Sequence, residues 1–315
     1  MTTDLIVLGS YAVAFVMDVE RLPVSGETLR AANFRQTWGG KGSDMAVQAA
    51  RLGARVTYLG VIGSDIYGED CIRLLENEGI DLIGLRSSSD LPTGAGFIVK
   101  DRSGNNFITV DMGANSEFSP EDIDRHSSVF RDQSVVLSQL EIPLRTALHG
   151  LTLARNAGAQ TVLNPAPACR LDAVDLSCVD VLTPNATEAR VILGVAPDAQ
   201  VDNGDLCRQL LDIGCGAVVM TCGGEGSMVA TGDRVFHCPP FSVEVADTNG
   251  AGDAFSAAVA VALGEGMDLE EAVHFASAVA ALSCTGWETI DSYKDRQTVQ
   301  EFLRTAGASK GTVVR

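Results

Sequence analysis

The stretch Asp247-Thr248-Asn249-Gly250-Ala251-Gly252-Asp253-Ala254-Phe255 decides how this chain is read. Small residues lie between two aspartates, and an alanine-rich apolar segment follows from Ala254 to Leu263. That segment reads as a buried helix. Gly250 and Gly252 leave its first-turn N–H groups open to a ligand, and a helix N-terminus free of bulky side chains suits a phosphate or a developing anion. Asp253 stands in the same turn, where its carboxylate can take a proton from a hydroxyl. An anion cradle beside a base is what phosphoryl transfer to an alcohol requires. Alone, the run reads equally well as a helix cap behind a glycine turn, so the rest of the chain has to decide.

Outward from this stretch, short β-rich runs alternate with helical patterns. Leu5–Leu8, Val56–Val61, Val135–Leu137, Thr161–Leu163, Val179–Leu182 and Ala217–Met220 read as buried parallel strands. Ser43–Leu52, Gly68–Glu78, Pro143–Asn156 and Asp205–Ile213 read as helices between them. The alternation predicts an α/β fold: a doubly wound, mainly parallel sheet flanked by helices. Two stretches break it. Ala12 to Trp38 carries no long helical pattern, and Gly96–Lys100 with Asn106–Val110 reads as a hairpin. Such insertions, at about 12–38 and 94–112, suit a small β-sheet lid over a site at the strand ends. The expectation is one α/β domain over 1–315, ending in a frayed tail over 306–315.

Composition narrows the function. Acidic residues outnumber basic ones 41 to 23, a net charge of −18 in 315 residues. That balance argues against a nucleic-acid partner held by a general basic surface. The eight cysteines form no CxxC pair, which argues against zinc, and several sit in apolar runs as free thiols of a reducing, cytoplasmic compartment would. The apolar run Leu5–Met17 has no Lys or Arg before Arg21 and is broken by Gly9-Ser10; it reads as strand, with no membrane span expected.

Three further motifs carry chemistry. Trp38-Gly39-Gly40-Lys41-Gly42-Ser43-Asp44 leads into a helix. It is not a P-loop, because Gly42 follows the lysine where Ser or Thr is needed. It is either a plain strand–helix turn or a grip for a polyhydroxy ligand. Thr183-Pro184-Asn185-Ala186-Thr187-Glu188 ends a strand and opens a helix, and Asn185 with Glu188 fits a capping box. The functional alternative has both facing a metal–phosphate group, Glu188 through water. Thr221-Cys222-Gly223-Gly224-Glu225-Gly226 ends another strand in a turn that permits close approach of a nucleotide.

In this order, GGKGSD, TPNATE, TCGGEG and DTNGAGDAF resemble the ribokinase-like (PfkB) carbohydrate kinases, over Leu5 to about Ser292. Gly9-Ser10, Gly113-Ala114-Asn115, Gln139-Leu140-Glu141 and Asn164-Pro165-Ala166-Pro167 look like the ribokinases within that family. The resemblance implies ATP-dependent phosphorylation of a sugar hydroxyl. Asp253 would be the base, with the backbone of Gly250, Ala251 and Gly252 holding the developing charge. Gly40, Lys41, Asp44 and Glu141 would face the sugar. Asn185, Thr221, Gly223, Gly226 and Ser277 would line ATP. Glu188 would hold Mg²⁺ through water, Asp247 and Ser292 would offer a K⁺ site, and the lid would clasp a homodimer.

Three departures bear on specificity. Ala12 and Ala14 stand where the ribokinases carry an Asn and an Asp that grip sugar hydroxyls, and Asp44 replaces an Asn. An ionised Asp44 would accept but not donate. Glu288-Thr289-Ile290-Asp291-Ser292 replaces a small Gly-Ala pair in the monovalent-cation loop. The expected acceptor is a small sugar or sugar derivative other than D-ribose; a nucleoside kinase of the same fold and a non-catalytic binding regulator are the alternatives.

Overall fold

A computed structural model describes residues 3–102, 106–131, 135–232, 234–306 and 312–313. The chain runs β1 (Asp4–Leu8), β2 (Ala12–Val19), β3 (Ala32–Gly39), α1 (Lys41–Arg51), β4 (Arg55–Gly63), α2 (Ile66–Asn77) and β5 (Asp81–Ser88). Next come β6 (Gly94–Asp101), β7 (Asn106–Asp111), α3 (Pro120–Arg125), β8 (Val135–Ser138), α4 (Leu144–Asn156) and β9 (Gln160–Leu163). They are followed by β10 (Val181–Leu182), α5 (Ala186–Ile192), α6 (Asn203–Leu211), β11 (Ala217–Thr221), β12 (Ser227–Thr231) and β13 (Arg234–Cys238). Finally come α7 (Ala251–Gly264), α8 (Leu269–Ser283), α9 (Arg296–Ala306) and β14 (Thr312–Val313).

The large sheet has the order β14-β13-β12-β11-β10-β9-β8-β1-β4-β5. It is parallel from β5 to β11 and antiparallel beyond. Leu5, Ile6, Val7 and Leu8 of β1 are all fully buried, as a strand covered on both faces must be. Alternation along β1 divides the core. Leu5 and Val7 pack with α1, α7 and α8, while Ile6 and Leu8 pack with α4, α5 and α6. Helix α7 is apolar on every side, and Ala254 and Ala257 through Ala262 have no exposure. Its small side chains let it lie close to β8 and β9 and against α8.

The sequence-level strands and helices recur, with β10 shorter than expected. The antiparallel extension β12–β13 and the edge strand β5 are additions to that reading. The tail differs from the frayed end expected: Thr312 and His237, and Val313 and Phe236, pair across β14 and β13. Ala306 closes α9, and tail residues 307–311 and 314–315 fall outside those described.

The two irregular stretches build one four-stranded sheet, in the order β3-β2-β6-β7. The hairpin is there as β6–β7, and β2 pairs parallel with β6. Its register sets side chains in rows. Gly39, Ala12 and Gly94 form one row, and Thr37, Ala14, Gly96 and Val110 the next. Arg35, Val16, Ile98 and Ile108 follow, then Asp18 and Lys100. Phe15 stacks on Phe34 and Phe97 on the opposite face, leaving Phe34, Phe97 and Phe107 strongly exposed. Among the described residues no helix is long and apolar enough to cross a membrane.

Candidate active site

The N-terminus of α7 lies between two cavities. One, of about 200 Å³, lies between the small sheet and the helix termini, with Lys41, Asp44, Glu141 and Asp253 on its floor. The other, of about 580 Å³, is bounded by Asn185, Thr221, Gly223, Gly226, Ser277 and Gly252. All the residues expected around sugar and nucleotide thus line one cavity or the other, except Glu188 and Ser292.

Gly250 enters α7 with φ +74°, and a Cβ there would lie 2.7 Å from Thr289 and from the Tyr293 hydroxyl. Only glycine fits this entry. The Tyr293 hydroxyl donates to the Gly250 carbonyl at 3.0 Å and holds the turn. The Ala251 N–H turns back to the Thr248 carbonyl at 3.3 Å. Gly252 and Asp253 sit in the first turn, where the helix supplies no carbonyl for their N–H groups. A Cβ at Gly252 would meet nothing within 4 Å, so a ligand can approach that backbone closely.

Asp253 is buried, 6% exposed, with Lys41 Nζ at 3.3 Å from Oδ1. Burial pushes its carboxyl up to about 6, opposed by the Lys41 charge and aided by Glu141. Burial would lower Lys41, but Asp253, Glu141 and Glu188 outweigh it and hold the ammonium above its ordinary range. The pair therefore holds a carboxylate close to the acidity of a working general base, beside a permanent cation.

Lys41 opens α1, which has no side-chain cap at Gly40. Glu141, from the loop after β8, supplies one from outside: its Oε2 accepts the Lys41 N–H at 2.8 Å and the Ser10 hydroxyl at 2.7 Å. Gln139 donates to Ser10 at 2.7 Å. Gly40 has φ +95°, and a Cβ would lie 2.7 Å from the Tyr11 Cα, so the glycine turn packs directly on the Tyr11–Ala12 backbone. Ser10 and Gln139 were visible in the motifs but had no role assigned to them.

Asp44 is 3% exposed, and its Oδ1 has no hydrogen-bond partner among the described residues. Burial, then the Asp253 and Glu141 charges, push its carboxyl well above the usual range. Burial thus favours the protonated form of Asp44 more than the ionised acceptor expected from sequence, and in that form the carboxyl can donate as well as accept.

Asn185 and Glu188 make a complete capping box: Glu188 N–H donates to Asn185 Oδ1 and Asn185 N–H to Glu188 Oε2, each at 2.8 Å. Glu188 still acts on the site, since its charge is felt at Lys41 and Asp253. Thr221 lies against this helix start, its N–H donating to the Pro184 carbonyl at 2.9 Å. Ser277 donates to the Val273 carbonyl at 2.8 Å. Phe241, Val245, Phe255 and Ala280 make the second cavity an apolar slot. Phe255 closes the Asp247–Phe255 motif, whereas Phe241, Val245 and Ala280 come from loop and helix positions that carried no motif.

Asp247 and Ser292 have other engagements. Asp247 pairs with Lys100 of β6 at 3.3 Å and accepts both the backbone and side-chain N–H of Asn249. Burial would raise its carboxyl, but the Asn249 N–H and Lys100 hold it below the usual range. The Ser292 hydroxyl donates to the Thr289 carbonyl at 2.7 Å. Glu288, at the left-handed φ of 66°, pairs with Arg35 of β3 at 2.9 Å. Two ion pairs thus join the small sheet to the body at the cleft rim.

Comparison with known proteins agrees with this geometry. Residues 2–296 match the family described as pfkB family carbohydrate kinase. A deoxyribokinase of Salmonella typhi is 35% identical over 301 residues, 95% of this chain and 98% of that protein. A ribokinase of Haemophilus influenzae is 35% identical over 306 residues, 97% of this chain and all of that one. The structure of Arabidopsis thaliana ribokinase complexed with ribose and ATP superposes with a TM-score of 0.86 at 29% identity, covering 96% and 98% of the two chains.

Proposed function

The chain belongs to the pfkB family of carbohydrate kinases, and from that premise we propose that it transfers the γ-phosphate of ATP to a hydroxyl of a small sugar or sugar derivative other than D-ribose. The observation that carries this reading is Asp253, buried beside Lys41 at the helix terminus that separates the two cavities. Relatives named for ribose and for deoxyribose support a small-sugar acceptor.

In the proposed reaction, Asp253 takes the proton of the acceptor hydroxyl. That oxygen forms its bond to the γ-phosphorus as the bond to the β–γ bridging oxygen breaks, and ADP leaves with that electron pair. The Gly252 and Asp253 N–H groups and the helix dipole face the transferring phosphoryl oxygens. Lys41 holds Asp253 in place and adds positive charge on the acceptor side. The apolar slot at Phe241 and Phe255 takes the base of the nucleotide.

Among the described residues no three His, Cys, Asp or Glu side chains converge on a metal-sized site. Mg²⁺ keeps waters and is held by few carboxylates together with phosphates. Glu188 would hold it through water, and the ion would neutralise charge on the phosphate oxygens. A K⁺ at Asp247 and Ser292 would have to displace the Lys100 ammonium. The exposed Phe34, Phe97 and Phe107 support a homodimer formed through the outer lid face. Eight free cysteines support a reducing, cytoplasmic setting.

The test is a panel of sugars, sugar acids, polyols and nucleosides with MgATP, read by mass of the phosphorylated product. A monophosphorylated sugar is expected. A phosphorylated nucleoside would move the acceptor class, and ATP binding without turnover on any acceptor would replace the kinase reading with a sensor.

A further inference from the structure

We propose that the acceptor turns a deoxygenated edge toward the small sheet, so that the preferred substrates are deoxy sugars. This rests on the kinase reading above and names the acceptor class within it.

The two walls of the acceptor cleft differ in chemistry. The floor is polar, and Asp44, almost wholly buried, holds an oxygen there without a partner. A buried polar atom aimed into a cleft is a place for a ligand hydroxyl. The opposite wall is built from the register of the small sheet. Its deepest row offers Ala12 between two glycines, and the next offers Ala14 between Thr37 and Gly96, with Val110 beyond. Ala12 and Ala14 are 8% and 9% exposed and end at Cβ. Thr37 is the one side chain of these two rows that can hydrogen-bond.

The charges of this wall stand farther out and are engaged. Arg35 is held by Glu288 and Lys100 by Asp247. A hydroxyl directed at Ala12 or Ala14 would leave water and gain no partner from either side chain. A methylene at the same place would bury apolar surface instead. Leaving one hydroxyl unpaired costs about tenfold or more in efficiency, within the range an apolar wall can discriminate.

The experiment compares D-ribose with 2-deoxy- and 3-deoxy-D-ribose, and D-glucose with its 2-deoxy and 3-deoxy analogues, at saturating MgATP. Phosphorylated product gives kcat/KM for each. In at least one set a deoxy sugar is expected to exceed its parent by about tenfold or more. Ala14→Thr and Ala14→Val, compared with each other, separate hydrogen bonding from volume, because the two side chains have nearly the same shape. The Thr variant is expected to shift the parent-to-deoxy ratio toward the parent sugar, relative to the Val variant. Parent sugars matching or exceeding every deoxy analogue in the unmodified protein overturn this inference and leave the kinase reading standing. The same ratio in the two variants overturns it as well. Transfer to no sugar at all overturns the kinase reading and the inference with it.

Discussion

Replacing Asp253 by asparagine tests the centre of the site through two readouts that should move in opposite directions. The carboxyl stands at about 6 in the folded chain against an ordinary 3.8. A carboxyl raised by folding binds its proton more tightly in the native state. The native chain therefore holds more protons than the unfolded chain between about pH 4 and 6, and stability falls as pH rises through that window. Above it the full cost is present, about 3 kcal/mol for this displacement. Asparagine removes that cost, while Lys41, 3.3 Å away, loses its partner and takes part of the gain back. The variant should therefore be more stable than the parent at pH 8, by less than about 3 kcal/mol, with the difference shrinking toward pH 4. Turnover should fall by about 10²–10⁴-fold. The parent's kcat/KM should rise with pH and level off above about 6, and this limb should vanish in the variant. Urea denaturation at pH 8 and 5, with steady-state rates from pH 5 to 9, measures both. A stability difference independent of pH, or an acid limb unchanged in the residual activity, would refute the reasoning.

Glu188→Ala should raise the Mg²⁺ concentration needed for half-maximal rate and cost about 1 kcal/mol through the lost cap. A lower melting temperature with an unchanged Mg²⁺ titration would leave Glu188 as a cap alone. Lys100→Ala removes the ammonium from Asp247 Oδ2 and leaves Asn249 as its partner, so stimulation by K⁺ over tetramethylammonium should be larger in the variant than in the parent. An identical response in both would show that the lysine and the ion do not compete. Glu288→Gly relieves a left-handed backbone that costs about 1 kcal/mol or more, and gives up only a partly exposed ion pair. Stability should rise while the acceptor KM increases, and an unchanged KM would detach Arg35–Glu288 from acceptor binding.

The central sheet was legible because its strands are buried on both faces, so β1, β4, β8 and β11 appear as continuous apolar runs. Strand β5 was not, since its half-exposed edge leaves no such run. The glycine turns were legible because the backbone at Gly40 and Gly250 demands glycine, and their motifs carried Lys41 and Asp253 with them. The upward push on the Asp44 carboxyl lay beyond sequence. It comes first from burial, then from Asp253 and Glu141, which only folding brings to it. The ion pairs at the rim join residues 147 and 253 positions apart, and no local pattern marks them. Ala12 and Ala14 stood out in the sequence, but the apolar rows they form with β3 and β6 came only from the register.

The loop into α7 serves both cavities without sharing a side of any residue between them. Asp247, Asn249, Gly250 and Asp253 line the acceptor cleft, whereas Thr248, Ala251 and Gly252 line the nucleotide slot. No lining residue is common to the two. Evolution can therefore rewrite one cavity while leaving the other intact. Changes along β2, β6 and β7 retune which molecule is accepted and do not touch the phosphate donor's seat. An insertion or deletion within residues 247–253 would move several of these positions to the wrong cavity at once. Those seven positions are where this architecture tolerates least drift, and the strands of the small sheet are where new acceptor preferences can arise by single substitutions.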